Sequence, residues 1–159
     1  MTAIEYNQAV KEFSNRVCRF ADKLVMNTDA AKDITQDAFM RLWENKDLVD
    51  FAKARSWLFT TAYRLALLTI ERNKKHTGIE AIPTRMVEQA NPDLKQIIQD
   101  SLKLLSDVQR SIILLRDYEG YNYDEIGYML DLSESQVKVY LFRARQKIKD
   151  HIKDLKLVL

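Results

Sequence analysis

YNYDEIGYMLDLSESQVKVYLFRARQKIK, residues 121–149, carries two helix-start signals about a dozen residues apart. Asn122 precedes Tyr123-Asp124-Glu125, and Ser133 precedes Glu134-Ser135-Gln136. In each, a short polar side chain can accept from the N–H three residues on. Glu125 or Gln136 can reach back to complete a reciprocal capping box. Between the two signals Ile126, Met129 and Leu130 form the apolar stripe of a short helix, broken at Asp131-Leu132-Ser133. Beyond the break Val137, Leu141, Ala144 and Ile148 recur at spacings of four, three and four, which is one face of a longer helix. A short helix, a tight turn and a long helix give the layout of a helix-turn-helix, whose second helix enters the DNA major groove.

Charge separates this reading from that of a plain helical hairpin. From Ser133 to the C-terminus seven Lys and Arg face three Asp and Glu, a net of +4. From Leu94 to Leu132 the balance is four against seven, a net of −3. The excess is therefore local to the helix that the geometry offers to phosphates. Lys138, Arg143, Arg145, Lys147 and Lys149 all lie off the apolar stripe. The plain alternative is a core hairpin with a solvated basic face.

Working outward, 159 residues suit one domain or two small ones. The chain is 47% hydrophobic and 30% charged, with three Gly and two Pro, which suits a mainly helical protein. A net charge of +2 leaves any nucleic-acid affinity to patches. The single Cys18 excludes an intramolecular disulfide and suits a reducing cytoplasm. The N-terminal stretch has no apolar core of a signal peptide, and no apolar run approaches the length of a membrane span.

The first helix is predicted from Ala3 to Met26, with Tyr6, Val10, Phe13, Val17, Phe20 and Leu24 as its seam. Asn27-Thr28-Asp29 caps a second, Ala30 to Trp43, with Ala31, Ile34, Ala38 and Leu42 inward. Asp33, Gln36, Asp37 and Arg41 stay on other faces and, from spacing alone, read as helix solvation. Residues 44–54 read as a loop anchored by Leu48, Val49 and Phe51. A third helix, Ala54 to Arg72, has Trp57, Thr61, Leu65 and Leu68 inward and Arg55 and Arg64 elsewhere. Its aromatics and cations are what gripping unstacked bases requires, and equally what an amphipathic core helix with arginines at its edge looks like.

Residues 73–93 hold both prolines and little periodicity, and are predicted to be a linker. His76 there has no companion at metal-ligand spacing. A helix follows from Pro92 with Leu94, Ile97, Ile98, Ser101 and Leu105 on one face. Ser106 to Gln109 is a further capping box, opening a helix with Val108, Ile112, Ile113 and Leu115 that ends near Gly120. The expected fold is all-α: a three-helix bundle over 1–72, a linker over 73–93, and a four-helix bundle with a helix-turn-helix over 94–159. No glycine-rich phosphate loop, triad-like set or apolar carboxylate pair argues for catalysis, and nothing calls for a cofactor.

The motifs carry a resemblance. Asp33-Ile34-Thr35-Gln36-Asp37 with Phe39, Leu42 and Trp43 resembles a pattern in the second conserved region of bacterial sigma factors. Ser56 to Ala66 (SWLFTTAYRLA) resembles the segment that follows it. Leu105 through Tyr118-Glu119-Gly120 to Phe142-Arg143-Ala144-Arg145 resembles the fourth region. Two such domains on a loose linker are similar to the small extracytoplasmic-function group. The resemblance implies that Asp33, Gln36, Asp37 and Arg41 dock on the clamp helices of the polymerase β′ subunit. It implies that Lys53, Arg55 and Arg64 belong to a reader of the promoter −10 element. Ser133, Gln136, Lys138, Val139, Phe142 and Arg143 would meet the −35 element, with Arg145 and Lys147 on phosphates. Core RNA polymerase (β′ clamp helices and β flap), promoter DNA and an anti-sigma factor are the implied partners. Arg64, Leu68, Asp131 and Gly127 depart from the family pattern, Gly127 standing for a small Ala where two helices cross closely. Two other readings stay open on the residues alone: a helix-turn-helix regulator with no polymerase dock, and a helical adaptor that binds no DNA.

Overall fold

The computed structural model describes residues 1–77 and 93–158, all of whose regular elements are helices. They are α1 (Ala3–Val25), α2 (Thr28–Glu44), α3 (Phe51–Thr77), α4 (Leu94–Lys103), α5 (Asp107–Ile113), α6 (Tyr123–Leu130) and α7 (Glu134–Val158). They fall into two compact units, Met1–His76 and Thr77–Leu159. The predicted linker differs at its start, because α3 runs on through residues 73–77; the part of it in residues 78–92, with the expected Pro92 helix start, lies outside the described residues.

In the first unit, Thr2 and Glu5 cap α1 reciprocally, and Asn27 accepts from Ala30 N–H at 2.9 Å to start α2. The α1 seam narrows to Ala9, Val17, Phe20, Ala21 and Leu24, while Ala31, Ile34, Ala38 and Leu42 of α2 are all buried as predicted. The third helix is set differently. Its inner face is Ala54, Leu58, Phe59, Ala62, Leu65 and Ala66, whereas Trp57 and Thr61 are half-buried and Leu68 is exposed. Three alanines there let neighbouring helices close in, and Phe59 meets Phe20 edge to face at 5.3 Å. Between α2 and α3, Val49 is buried and Phe51 half-buried, but Leu48 is 85% exposed and anchors nothing within the unit.

In the second unit, Ser106 and Gln109 form the expected capping box of α5. α5 then widens: over Leu114–Tyr118 the helix is of the π type, with Glu119 N–H reaching back five residues to Leu114 O at 3.1 Å. Gly120, at φ +78, turns the chain into α6. The corner between α4 and α5 is filled by Arg110, which is 7% exposed. Its Nε donates to Leu102 O at 3.1 Å and its Nη2 to Leu105 O at 3.2 Å. Nothing in the sequence pattern marked this arginine as core.

The helix-turn-helix forms as read. Asn122 accepts from Glu125 N–H at 2.8 Å; Ser133 and Gln136 bond each other's backbones at 3.1 and 2.9 Å. Asp131 takes the left-handed conformation (φ 57), which Asp tolerates better than most residues. Gly127 sits at the tightest point, and what approaches it is the turn. A Cβ there would lie 2.7 Å from Leu132 O, with Val137 Cγ2 at 3.8 Å. Gly127→Ala gains about 1 kcal/mol of helix propensity but drives a methyl into a backbone carbonyl, an overpacking worth roughly 1–3 kcal/mol. The urea midpoint of the second unit should therefore fall. A midpoint that rises would mean the turn can retreat freely.

Candidate nucleic-acid and polymerase interfaces

α7 divides cleanly by face. Val137, Leu141 and Ala144 are buried against the unit, while Val139 and Phe142 are 46% and 70% exposed, beside exposed Arg143. Large apolar side chains held in solvent next to a cation, on a helix entered through a fixed turn, can meet thymine methyls and base edges. Ser133 and Gln136, both predicted DNA-facing, are exposed but already bonded to one another in the capping box.

The flanks are more constrained than the sequence suggested. Lys147 Nζ donates to Gln109 Oε1 at 3.5 Å. Arg145 Nη2 donates to Asp117 Oδ1 at 2.6 Å, across 28 residues, and that carboxylate holds the guanidinium above its ordinary pKa. Lys138 Nζ lies 3.2 Å from Glu134 Oε1. Hydrogen bonding from Lys138, then from Asp124, lowers the Glu134 carboxyl, while the bond to Glu134 raises Asp124. Tyr123, at the start of α6, has Arg116 at 4.9 Å and Lys138 at 5.7 Å from its ring centre. Tyr123 and Lys149 were not singled out as site residues. The signal was there, since Lys138, Phe142, Arg145 and Lys149 repeat the four-three-four spacing of the core stripe on another face.

On the other flank of α7, an apolar groove of about 540 Å³ runs between α4, α5 and α7. Ile98, Leu102, Ile113, Ile148 and Ile152 line it, with Lys149 and Lys153 at its rim.

In the first unit, α2 presents Asp33, Gln36 and Arg41 exposed and Asp37 half-buried, with Arg41 Nε donating to Asp37 Oδ1 at 3.2 Å. Met40, 61% exposed, stands among them and was missed by the sequence reading, as was the half-exposed Trp43 under Lys46 Nζ at 4.4 Å. An apolar centre ringed by charged and amide groups has the composition of an interface. The residues predicted to face the −10 element are not all brought together. Lys53 and Arg64, three helical turns apart, share an exposed side of α3. Arg55 points the other way, toward the core face, with its Nε buried.

A family model for sigma-70 region 2 matches residues 9–76, and one for sigma-70 region 4 matches residues 95–148. The extracytoplasmic-function RNA polymerase sigma factor SigE of Mycolicibacterium smegmatis is 28% identical over 159 residues, covering 92% of this chain and 61% of that protein. SigM of Bacillus subtilis, of the same group, is 27% identical over 149 residues, covering 86% and 88%. Among solved structures, the sigma factor RpoE bound to the anti-sigma factor NepR from Bartonella quintana superposes with a TM-score of 0.78 at 22% identity, over 93% of this chain and 96% of that one. CnrH in complex with the cytosolic domain of CnrY gives 0.69 at 18% identity, over 94% and 88%.

Proposed function

The chain belongs to the sigma-70 family, in its extracytoplasmic-function group, and from that premise we propose that it binds core RNA polymerase and directs promoter recognition, melting and transcription initiation. The observation that carries the reading is the outer face of α7, where Val139, Phe142 and Arg143 are held in solvent by a capped turn. The second unit, residues 94–159, reads the −35 element in the major groove through that face. The first, residues 1–72, docks on the β′ clamp helices through the outer side of α2. Its α2–α3 loop, with exposed Leu48 and the Lys53 and Arg64 side of α3, takes the −10 element and the base that leaves the stack. The apolar groove beside α7 receives the β flap. Each of these roles is recognition rather than catalysis. An anti-sigma protein supplies the regulation, and the work is done in the cytoplasm. No helix among the described residues is long and apolar enough to cross a membrane.

The direct test is transcription from a promoter library by core enzyme with and without the chain, followed by permanganate reactivity of unpaired thymines. Promoter-specific transcripts and an open bubble are expected only with the chain present. A regulator without a polymerase dock would bind duplex DNA yet give no opening, and an adaptor would give neither.

Within the second unit two substitutions should behave differently. Arg143→Ala should cost about 1–3 kcal/mol on the best −35 sequence and relax preference at one position. Lys147→Ala should weaken binding evenly across sequences and flatten the salt dependence, as loss of a phosphate contact does. Binding measured across a set of −35 variants separates them; identical profiles for the two would remove the distinction between base reader and phosphate holder.

A further inference from the structure

A cleft of about 300 Å³ opens on one flank of α7, between Tyr123 of α6 and the stripe Lys138, Phe142, Arg145 and Lys149. Three cations around an aromatic ring form a seat for an oxyanion. Two of them come with a carboxylate already in place: Asp117 on Arg145 at 2.6 Å, and Glu134 on Lys138 at 3.2 Å. Both pairs are about half exposed, at 51% and 39% for the first and 55% and 50% for the second. Pairs so exposed contribute little to folding. Their main effect is on the field in the cleft, where each carboxylate cancels the cation beside it.

We propose that this cleft seats one phosphate of the DNA backbone, and that Asp117 and Glu134 are built-in counter-ions which the phosphate displaces. The inference rests on the reading of the second unit as a duplex-DNA binder and adds to it a restraint on affinity. An arriving phosphate exchanges with a carboxylate of the protein, and that carboxylate remains beside the DNA. Fewer net charges are neutralised than the cations alone would provide, so the free chain binds weakly and with a shallow salt slope. Such a chain depends on contacts made elsewhere to stay on a promoter. Asp117 reaches Arg145 from the wide turn after α5 and Glu134 reaches Lys138 from within α7, so the two restraints arise on separate elements.

The test uses the full chain and a fluorescent duplex of about 30 base pairs with no promoter element, titrated by anisotropy over a range of salt. Asp117→Asn should bind about threefold to fivefold tighter at low salt. Its plot of log K against log salt should steepen by up to about 0.9, the increment for one more phosphate neutralised. Glu134→Gln should act in the same direction. The gain from Asp117→Asn should vanish when Arg145 is also Ala, and that from Glu134→Gln when Lys138 is also Ala. Helical circular dichroism confirms that each variant is folded, and the two carboxylates test the idea independently should one variant not fold. Weaker or unchanged binding by Asp117→Asn and Glu134→Gln would overturn the proposal, leaving the carboxylates as positioning or structural groups. A gain that survives loss of Arg145 would also overturn it, since the effect would then be one of overall charge. If neither the parent chain nor any variant binds the duplex at low salt, the DNA-binding reading of the second unit falls with it. Binding by the variants alone would support both.

Discussion

Replacing Arg110 with alanine should destabilise the second unit by about 3 kcal/mol, as loss of a buried, charged hydrogen-bonding group does. Arg110 is 7% exposed and bonds two backbone carbonyls, Leu102 O and Leu105 O, with Asp107 Oδ1 at 3.4 Å from Nη2. Burial lowers its pKa and the Asp107 carboxylate partly offsets that shift. Truncation removes the donors at the end of α4, leaves a void, and isolates Asp107 at the first turn of α5. For so small a core, 3 kcal/mol is a large share of the net stability. Arg110→Lys, which offers one compact ammonium in place of a planar fork, should lose a smaller but distinct amount. The measurement is helped by composition: both tryptophans, Trp43 and Trp57, lie in the first unit. Urea unfolding followed by circular dichroism should show an early transition that tryptophan fluorescence does not report. Coincident, unshifted curves by both probes would show that the corner between α4 and α5 holds without its arginine.

Reversing charge at Asp33 and Asp37 together, to Lys, should weaken binding to core polymerase by roughly 100-fold, or about 2–3 kcal/mol, as like charges set against a basic partner do. The inner stripe of α2 is wholly buried, so the outer side is free for a partner, and Met40 gives it an apolar centre. The folded state should hardly register the change. Asp33 is exposed, and Asp37 has only its exposed pair with Arg41, worth about 0.3–0.5 kcal/mol at this spacing. Competition binding to core enzyme with a labelled parent chain gives the affinity, and duplex binding through α7 should be unaltered. Full affinity in the double variant would place the dock elsewhere on the unit.

How much of this was legible in the sequence depended on what each position contributed. α7 was legible because Val137, Leu141, Ala144 and Ile148 recur at helical spacing and the opposite face is charged. α3 was misread because bulk was taken for burial. Trp57 and Leu68 look like core residues, whereas the packed face is built on Ala54, Ala62 and Ala66, whose value is that they are small. Arg110 reads as surface by its charge and is buried because two carbonyls turn toward it, a fact of tertiary geometry. Asp117 and Arg145, 28 positions apart, could not be paired from spacing at all. Lys53 and Arg64 were separable from Arg55 by helical phase, had α3 been started at Phe51.

The wide turn at Leu114–Tyr118 has a consequence at the level of codons. It accommodates one residue more than an α-helical path would use, as the bond from Glu119 N–H to Leu114 O records. Removing a single codon there would let α5 run on as a regular helix, and everything after it would enter about 100° out of phase. Asp117 would leave Arg145, Tyr121 would lose its seat in the core, and Gly120 would no longer fall where the chain needs its positive φ. Single-residue deletions across 114–118 should therefore eliminate function as thoroughly as a frameshift, even though no residue deleted there need touch DNA.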